Sequence, residues 1–203
     1  MARNIKWILL LCFICFFALV GYAFNKEIMK CDILGHEIIK LMMSDNLTGA
    51  MEVITWFGSA FCFIIITLIF LIINREIGVL MGLNLIVVTA LNQVLKFVFK
   101  RPRPGYMLID ERGFSFPSGH SMVSLAFYGF LIYLVYKNIS NKILKRILII
   151  LLGVLIVLIG FSRIYLGVHY VSDVIAGFII SFEYLVLFID LFNNRGFLKI
   201  RQR

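Results

Sequence analysis

Charge is scarce in this chain. Only 15% of its 203 residues are Asp, Glu, Lys or Arg, whereas 62% are hydrophobic and 20 are phenylalanine. A soluble domain of this size could not bury so much apolar surface, so the composition excludes one and calls for lipid as solvent. Cysteines number four, and three of them, Cys12, Cys15 and Cys62, fall inside apolar runs. The Cys12-x-x-Cys15 spacing is therefore read as packing rather than as a redox pair. Cys31 is left alone, and no intramolecular disulfide is expected. Internal repeats, low-complexity tracts and linkers are also missing, so residues 1–203 are read as a single membrane-embedded domain.

What abounds is continuous hydrophobicity. A bilayer core about 30 Å thick takes roughly 20 apolar residues per helix. Six stretches approach or reach that length: Trp7–Phe24, Val53–Ile73, Ile77–Phe99, His120–Tyr136, Ile147–Phe161 and Val171–Phe192. Backbone polar groups in hydrocarbon must be satisfied internally, and runs this continuous suit helices rather than alternating barrel strands. The expected fold class is all-α, an integral membrane bundle of six transmembrane helices. Arg3 and Lys6 before the first run, with Gly21-Tyr22-Ala23 behind it, resemble a signal peptide; a run of about 18 exceeds the usual signal core, so it is read as an uncleaved anchor. Between the first two runs, Ile28, Met29, Ile33, Leu34, Ile38, Leu41 and Met42 recur at roughly helical spacing, which fits an interfacial helix or an ordinary structured loop. Glu183 is the one charge in the middle of a run, and Asn84, at similar depth, is its candidate hydrogen-bond partner.

Basic residues in short loops set the orientation. With the N-terminus cytoplasmic, the inner segments hold Arg3, Lys6, Arg75, Lys137, Lys142, Lys145, Arg146, Arg195, Lys199, Arg201 and Arg203 against Glu76. Both termini are thus expected inside. Lys96, Lys100, Arg101, Arg103, Arg112 and Arg163 then lie outside, against the bias, and need another explanation. Lys100 and Arg101 are read as snorkelling side chains. Lys96, Arg103 and Arg163 fall in two of three segments that meet at one mouth of the bundle: KFVFKRPRP from Lys96, PSGH from Pro117, and SRIYLGVHYVSD from Ser162. Three cations at one membrane depth repel each other unless an anion sits among them.

The residue types say which anion. Arg103 and Arg163 carry planar forks suited to phosphate, and Lys96 adds a point charge. Ser118 and Gly119 stand at a helix N-terminus, where backbone N–H groups and the dipole favour phosphate oxygens. Asp173, four residues beyond His169 on a shared helical face, is placed to accept a hydrogen bond from its ring, leaving the other nitrogen free as base or nucleophile. Asp110 and Glu111 are adjacent loop acids read as solvated. No carboxylate cluster resembles a metal site, and no metal or cofactor is expected.

Lys96 to Pro104 resembles the K-x6-R-P motif, Pro117 to His120 the P-S-G-H motif, and Ser162 to Asp173 the S-R-x5-H-x3-D motif of the type-2 phosphatidic acid phosphatase superfamily of integral membrane lipid phosphate phosphatases. All three motifs are complete and in order. The resemblance implies a phosphohistidine on His169, oriented by Asp173, with His120 as proton donor and then as base for water. It gives Lys96, Arg103, Ser118, Gly119 and Arg163 to the phosphate. It further implies a membrane lipid phosphate as substrate, such as phosphatidylglycerol phosphate, phosphatidic acid or undecaprenyl diphosphate, with membrane lipids and no nucleic acid as partners. A lipid or anion transporter would carry its charges near the midplane along a path, and a vanadate-dependent haloperoxidase, which has a similar anion site, is typically soluble; these are the alternatives.

Overall fold

Short polar side chains punctuate the apolar runs and start the helices. Ser44, Ser59, Asn74, Ser118 and Asn141 each accept a backbone N–H of the first turn that follows them, satisfying donors that a helix start otherwise leaves open. The structure is a computed structural model that describes residue 21 and residues 28–194. Except for residue 21, the first expected span, with Cys12 and Cys15, lies outside the described residues, as do Arg195, Lys199, Arg201 and Arg203. Among residues 28–194 there are seven helices: α1 (Lys30–Met42), α2 (Asp45–Trp56), α3 (Ala60–Ile73), α4 (Arg75–Phe99), α5 (Gly119–Asn138), α6 (Lys142–Tyr165) and α7 (Val171–Asn194). Among the described residues there is no strand.

Helices α4 to α7 are long and apolar enough to cross a membrane, and α2 with α3 makes a fifth span if that pair, bent by 43°, is counted as one. The expected span Val53–Ile73 is therefore not a single straight helix. It breaks at Phe57–Ser59, where Tyr128 Oη donates to Phe57 O at 2.7 Å. A neighbouring helix thus satisfies the carbonyl that the break frees. The fourth and fifth spans run longer than their apolar cores. Lys137 and Lys145 are carried at the helix ends, lying 5.7 Å and 5.3 Å over the rings of Tyr133 and Tyr136. The segment between the first two expected spans is helical, in α1 and the start of α2. Its α1 packs against α6 and α7.

Helix α5 sits at the centre, against α4, α6 and α7. Phe127 and Phe130 on α5 pack with Phe63, Ile156, Ile159 and Phe188 from its neighbours, and in lipid this dispersion packing is what holds helices together. Gly177 brings the start of α7 onto the start of α5: a Cβ there would lie 2.9 Å from Ser118 O. Deeper in the bundle, Asn84 Nδ2 donates to Ala126 O at 2.8 Å and Asn84 O accepts from Tyr184 Oη at 3.3 Å. The expected pair of Asn84 with Glu183 is not formed, because α5 takes the amide; Glu183 Oε1 is buried without a hydrogen-bond partner.

Candidate active site

Helix α4 stops where Lys100 turns left-handed, at φ 47°, and donates its N–H to Lys96 O. Pro102 and Pro104 cannot continue a helix, so the chain crosses the end of the bundle as a loop. That loop is pinned to the turn after α6. Leu108 N donates to Leu166 O at 3.0 Å, and Gly167, at φ 69°, leaves no room for a Cβ, which would lie 2.4 Å from Tyr106 O.

The loop, the turn and the ends of α4 and α5 enclose a cavity of about 310 Å3, lined by Lys96, Arg103, Glu111, Gly119, His120 and His169 among others. Lys96 Nζ donates to Phe114 O. Arg103 Nη1 donates to Val168 O at 2.8 Å and lies 3.3 Å from His169 Nε2. A guanidinium can only donate, so Nε2 is the acceptor and the ring proton sits on Nδ1. Nδ1 faces Asp173 Oδ2 at 3.5 Å. That separation is an ion-pair distance, longer than the hydrogen bond expected between these side chains. The geometry is also not that of one helical face, since His169 precedes α7 and Asp173 lies in its first turn. Asp173 instead receives Tyr170 N at 2.9 Å and Arg101 Nη1 at 2.5 Å. Burial first, then the cations Lys96, Arg103 and Arg163, hold His169 well below the ordinary imidazole range, so its ring is neutral at pH 7.

Two loop residues depart from expectation. Arg101 does not snorkel: it is 1% exposed and joined to both Asp173 and Asp32, because the left-handed turn at Lys100 directs the chain back over the bundle. Glu111 is not simply solvated; it contacts Arg163 and lies 3.6 Å from Arg103 Nη2. Arg163 is buried, donates to Thr55 Oγ1 at 2.7 Å, and lies behind Glu111 rather than on the cavity wall. Ser118 is also behind the wall. Its N–H goes to Asp173 O at 3.0 Å and its Oγ accepts from Ser121 N at 3.4 Å, so it caps α5 while Gly119 and His120 face the cavity. Asn92, one helical turn before Lys96, was not singled out by sequence, although the i, i+4 relation to Lys96 points to it. Its Nδ2 donates to Pro117 O at 3.2 Å, and Gly119 is small enough to let its Oδ1 approach. No sequence signal marked Asp32.

A second hollow of about 160 Å3 shares Asn92, Gln93, Gly119 and His120 with the first and is otherwise largely apolar, walled by Ala60, Phe63, Leu85 and Val123. The polar cavity and the apolar hollow therefore meet at His120. Among the described residues, no three His, Cys, Asp or Glu side chains converge as metal ligands.

Lys96, Arg103, Gly119, His120 and His169 line one cavity, with Ser118, Arg163 and Asp173 behind its wall, and the model of the PAP2 superfamily matches residues 77–197, more than half of the chain. The chain belongs to the PAP2 superfamily. This PAP2 chain is 46% identical over 91 residues to phosphatidylglycerophosphatase B of Bacillus subtilis (strain 168), an alignment covering 43% of this chain and 44% of that protein. It thus spans less than half the length of that relative. It is 27% identical to undecaprenyl-diphosphatase of Sulfolobus acidocaldarius, with 100% of this chain and 98% of that one covered. The crystal structure of a transmembrane PAP2 type phosphatidylglycerolphosphate phosphatase from Bacillus subtilis superposes with a TM-score of 0.82 at 30% identity, covering 97% of this chain and 98% of that one. Aquifex aeolicus LpxE, at 22% identity and a TM-score of 0.64 over 76% of this chain and 92% of that one, shares the fold.

Proposed function

We propose that this multi-pass membrane chain is a lipid phosphatase that transfers the phosphoryl group of a lipid phosphate or diphosphate to His169 and then to water. The observation that carries the reading is the His169 ring, neutral, with Nδ1 turned to Asp173 and Nε2 at the cavity accepting from Arg103, a lone pair that a phosphate frees by taking the guanidinium for itself. Nε2 attacks phosphorus in line, forming an N–P bond as the P–O bond to the lipid breaks. That electron pair goes to the leaving oxygen, which His120 protonates. His120 then takes a proton from water; the water oxygen bonds to phosphorus, the N–P bond breaks, and inorganic phosphate leaves. Lys96, Arg103 and the N-terminus of α5 at Gly119 carry the charge on the equatorial oxygens, where most of the acceleration of phosphoryl transfer resides, and Arg163 adds its field from behind Glu111. Ser118 supports this as the cap of α5, and cations of the chain stand in the role of a metal.

The apolar hollow beside His120 suits the first methylenes of a lipid tail, which favours a lipid over a soluble phosphate. Phosphatidylglycerol phosphate, phosphatidic acid and undecaprenyl diphosphate are the substrate class, the first and the last in line with the names of the partial and full-length relatives. Six spans, both termini in the cytoplasm and the cavity at the outer headgroup layer complete the reading. Phosphate release from these three lipids by the purified protein in detergent tests it. Release from at least one, lost in His169→Ala, is expected; release from none would sink it.

A further inference from the structure

Behind His169 and Asp173 lies a second buried layer that the reaction above leaves without a role. The Arg101 fork is divided between two carboxylates. Nη1 reaches Asp173 Oδ1 at 2.5 Å and Nη2 reaches Asp32 Oδ2 at 2.9 Å. Asp32 closes the circuit by accepting Ser172 N and Ser172 Oγ, each at 2.8 Å, and the Tyr170 ring lies 4.2 Å from the guanidinium carbon. Asp32 comes from α1, far from the motif segments, and is 2% exposed. A buried ion pair is costly to desolvate and often no more stabilising than apolar packing of the same volume, so stability alone does not account for it.

Geometry and charge do. Asp173 Oδ1 is locked by Arg101 while Oδ2 accepts Tyr170 N and faces His169, so the carboxylate cannot rotate away from the ring. A lone Arg101–Asp173 pair would cancel the charge that Asp173 offers to the ring. With Asp32 present the trio keeps one net negative charge, which a ring turning positive during phosphoryl transfer requires. We propose that Asp32 and Arg101 are positioning residues that act through Asp173 on His169: Arg101 fixes the carboxylate, and Asp32 keeps its charge from being cancelled. The proposal rests on the role given to His169 above.

The charged groups around His169 decide the sign of the test. Lys96 from α4, Arg103 from the loop and Arg163 from α6 disfavour a proton on its ring, and His120 from α5 faces the same cavity. Asp173 from α7 favours the proton, backed by Arg101 and Asp32, while Glu111 acts through Arg103 and Arg163. Removing the Asp32 charge therefore moves the His169 titration to lower pH.

The chain has three histidines, so labelled imidazole signals of the full-length protein in detergent micelles can be assigned by replacing His36 and His120 in turn. Asp32→Asn should move the His169 titration to lower pH and reduce kcat about tenfold with KM within about twofold. In an Asp173→Asn background the same substitution should cost less than about twofold, because its route runs through Asp173. Arg101→Lys, whose single ammonium cannot hold two carboxylates as a fork does, should behave alike and carries the test if Asp32→Asn does not fold. A His169 titration unmoved while only the melting temperature falls, or an equal kcat loss in both backgrounds, would overturn the proposal. If the native protein released phosphate from no lipid while His169 still responded to Asp32→Asn, the phosphatase reading would fail and the coupling would stand.

Discussion

Glu111 contacts the buried guanidinium of Arg163 and lies 3.6 Å from Arg103 Nη2, so a carboxylate occupies the ground between two forks that suit a phosphate. The same cations cannot pair fully with Glu111 and with an incoming anion. Glu111→Gln should lower the melting temperature of the unliganded protein by roughly 2–6 °C, because Arg163 loses its partner in a buried setting. Inorganic phosphate should then restore more stability to the variant than it adds to the native protein. Thermal scans with and without phosphate check this, and an equal phosphate increment in both proteins would contradict it.

His169 and Asp173 should separate by magnitude. His169→Ala removes the atom that forms the N–P bond, and turnover should fall by at least about a thousandfold with the fold retained. Asp173→Asn keeps the shape and the Arg101 contact but loses the charge, and the fall should be roughly 10- to 100-fold. Substantial phosphatase activity in the His169→Ala protein would end the assignment.

The pH dependence follows from burial and from the surrounding cations, which hold His169 well below the ordinary imidazole range. Protonating Nε2 removes the nucleophile, so the acid limb of kcat/KM should lie below the ordinary histidine pKa of about 6.5. The folded chain then binds fewer protons at this site than the unfolded chain. The stability that His169 contributes is present above the unfolded value and lost as pH falls through and below it. Rate profiles and melting temperatures between pH 5 and 8 read both limbs; an acid limb at or above 6.5 in kcat/KM would contradict the expectation.

Lys96, Arg103 and Arg163 supply the positive charge in this site. Turnover should therefore keep to within about twofold of its native value in excess chelator. Loss of activity in chelator, restored by magnesium, would transfer that role to an ion.

Much of the site was legible in the sequence because its residues sit at fixed spacings on helix ends. Lys96 closes α4, His120 opens α5, and Arg163 closes α6, so an apolar run with charge at its edge marked each of them. The layer behind was not legible. Asp32 and Ser172 are 140 positions apart, and no periodicity in α1 distinguishes a buried aspartate from a solvated one. Arg101 follows a residue whose left-handed turn reverses the chain, and an arginine beside a membrane helix ordinarily snorkels. The break between α2 and α3 was hidden too, since Tyr128 Oη satisfies Phe57 O from a different helix.

Glu183 gives the last test. It lies ten residues past Asp173 on α7, about 15 Å along the axis at 1.5 Å per residue, and cannot touch a phosphate in the cavity. Its Oε1 is buried without a hydrogen-bond partner, since Asn84 Nδ2 is held by Ala126 O. An unsatisfied buried oxygen costs about 1–3 kcal/mol, so the side chain opposes stability at this depth. Glu183→Gln should keep turnover within about twofold and leave the melting temperature nearly unchanged. Glu183→Met, which removes the unpaired oxygen and keeps the volume, should raise it by roughly 2–4 °C. If either substitution eliminated turnover without unfolding the protein, Glu183 would belong to a path for protons or substrate through the bundle, and a transporter would describe the chain better than a phosphatase with a single mouth.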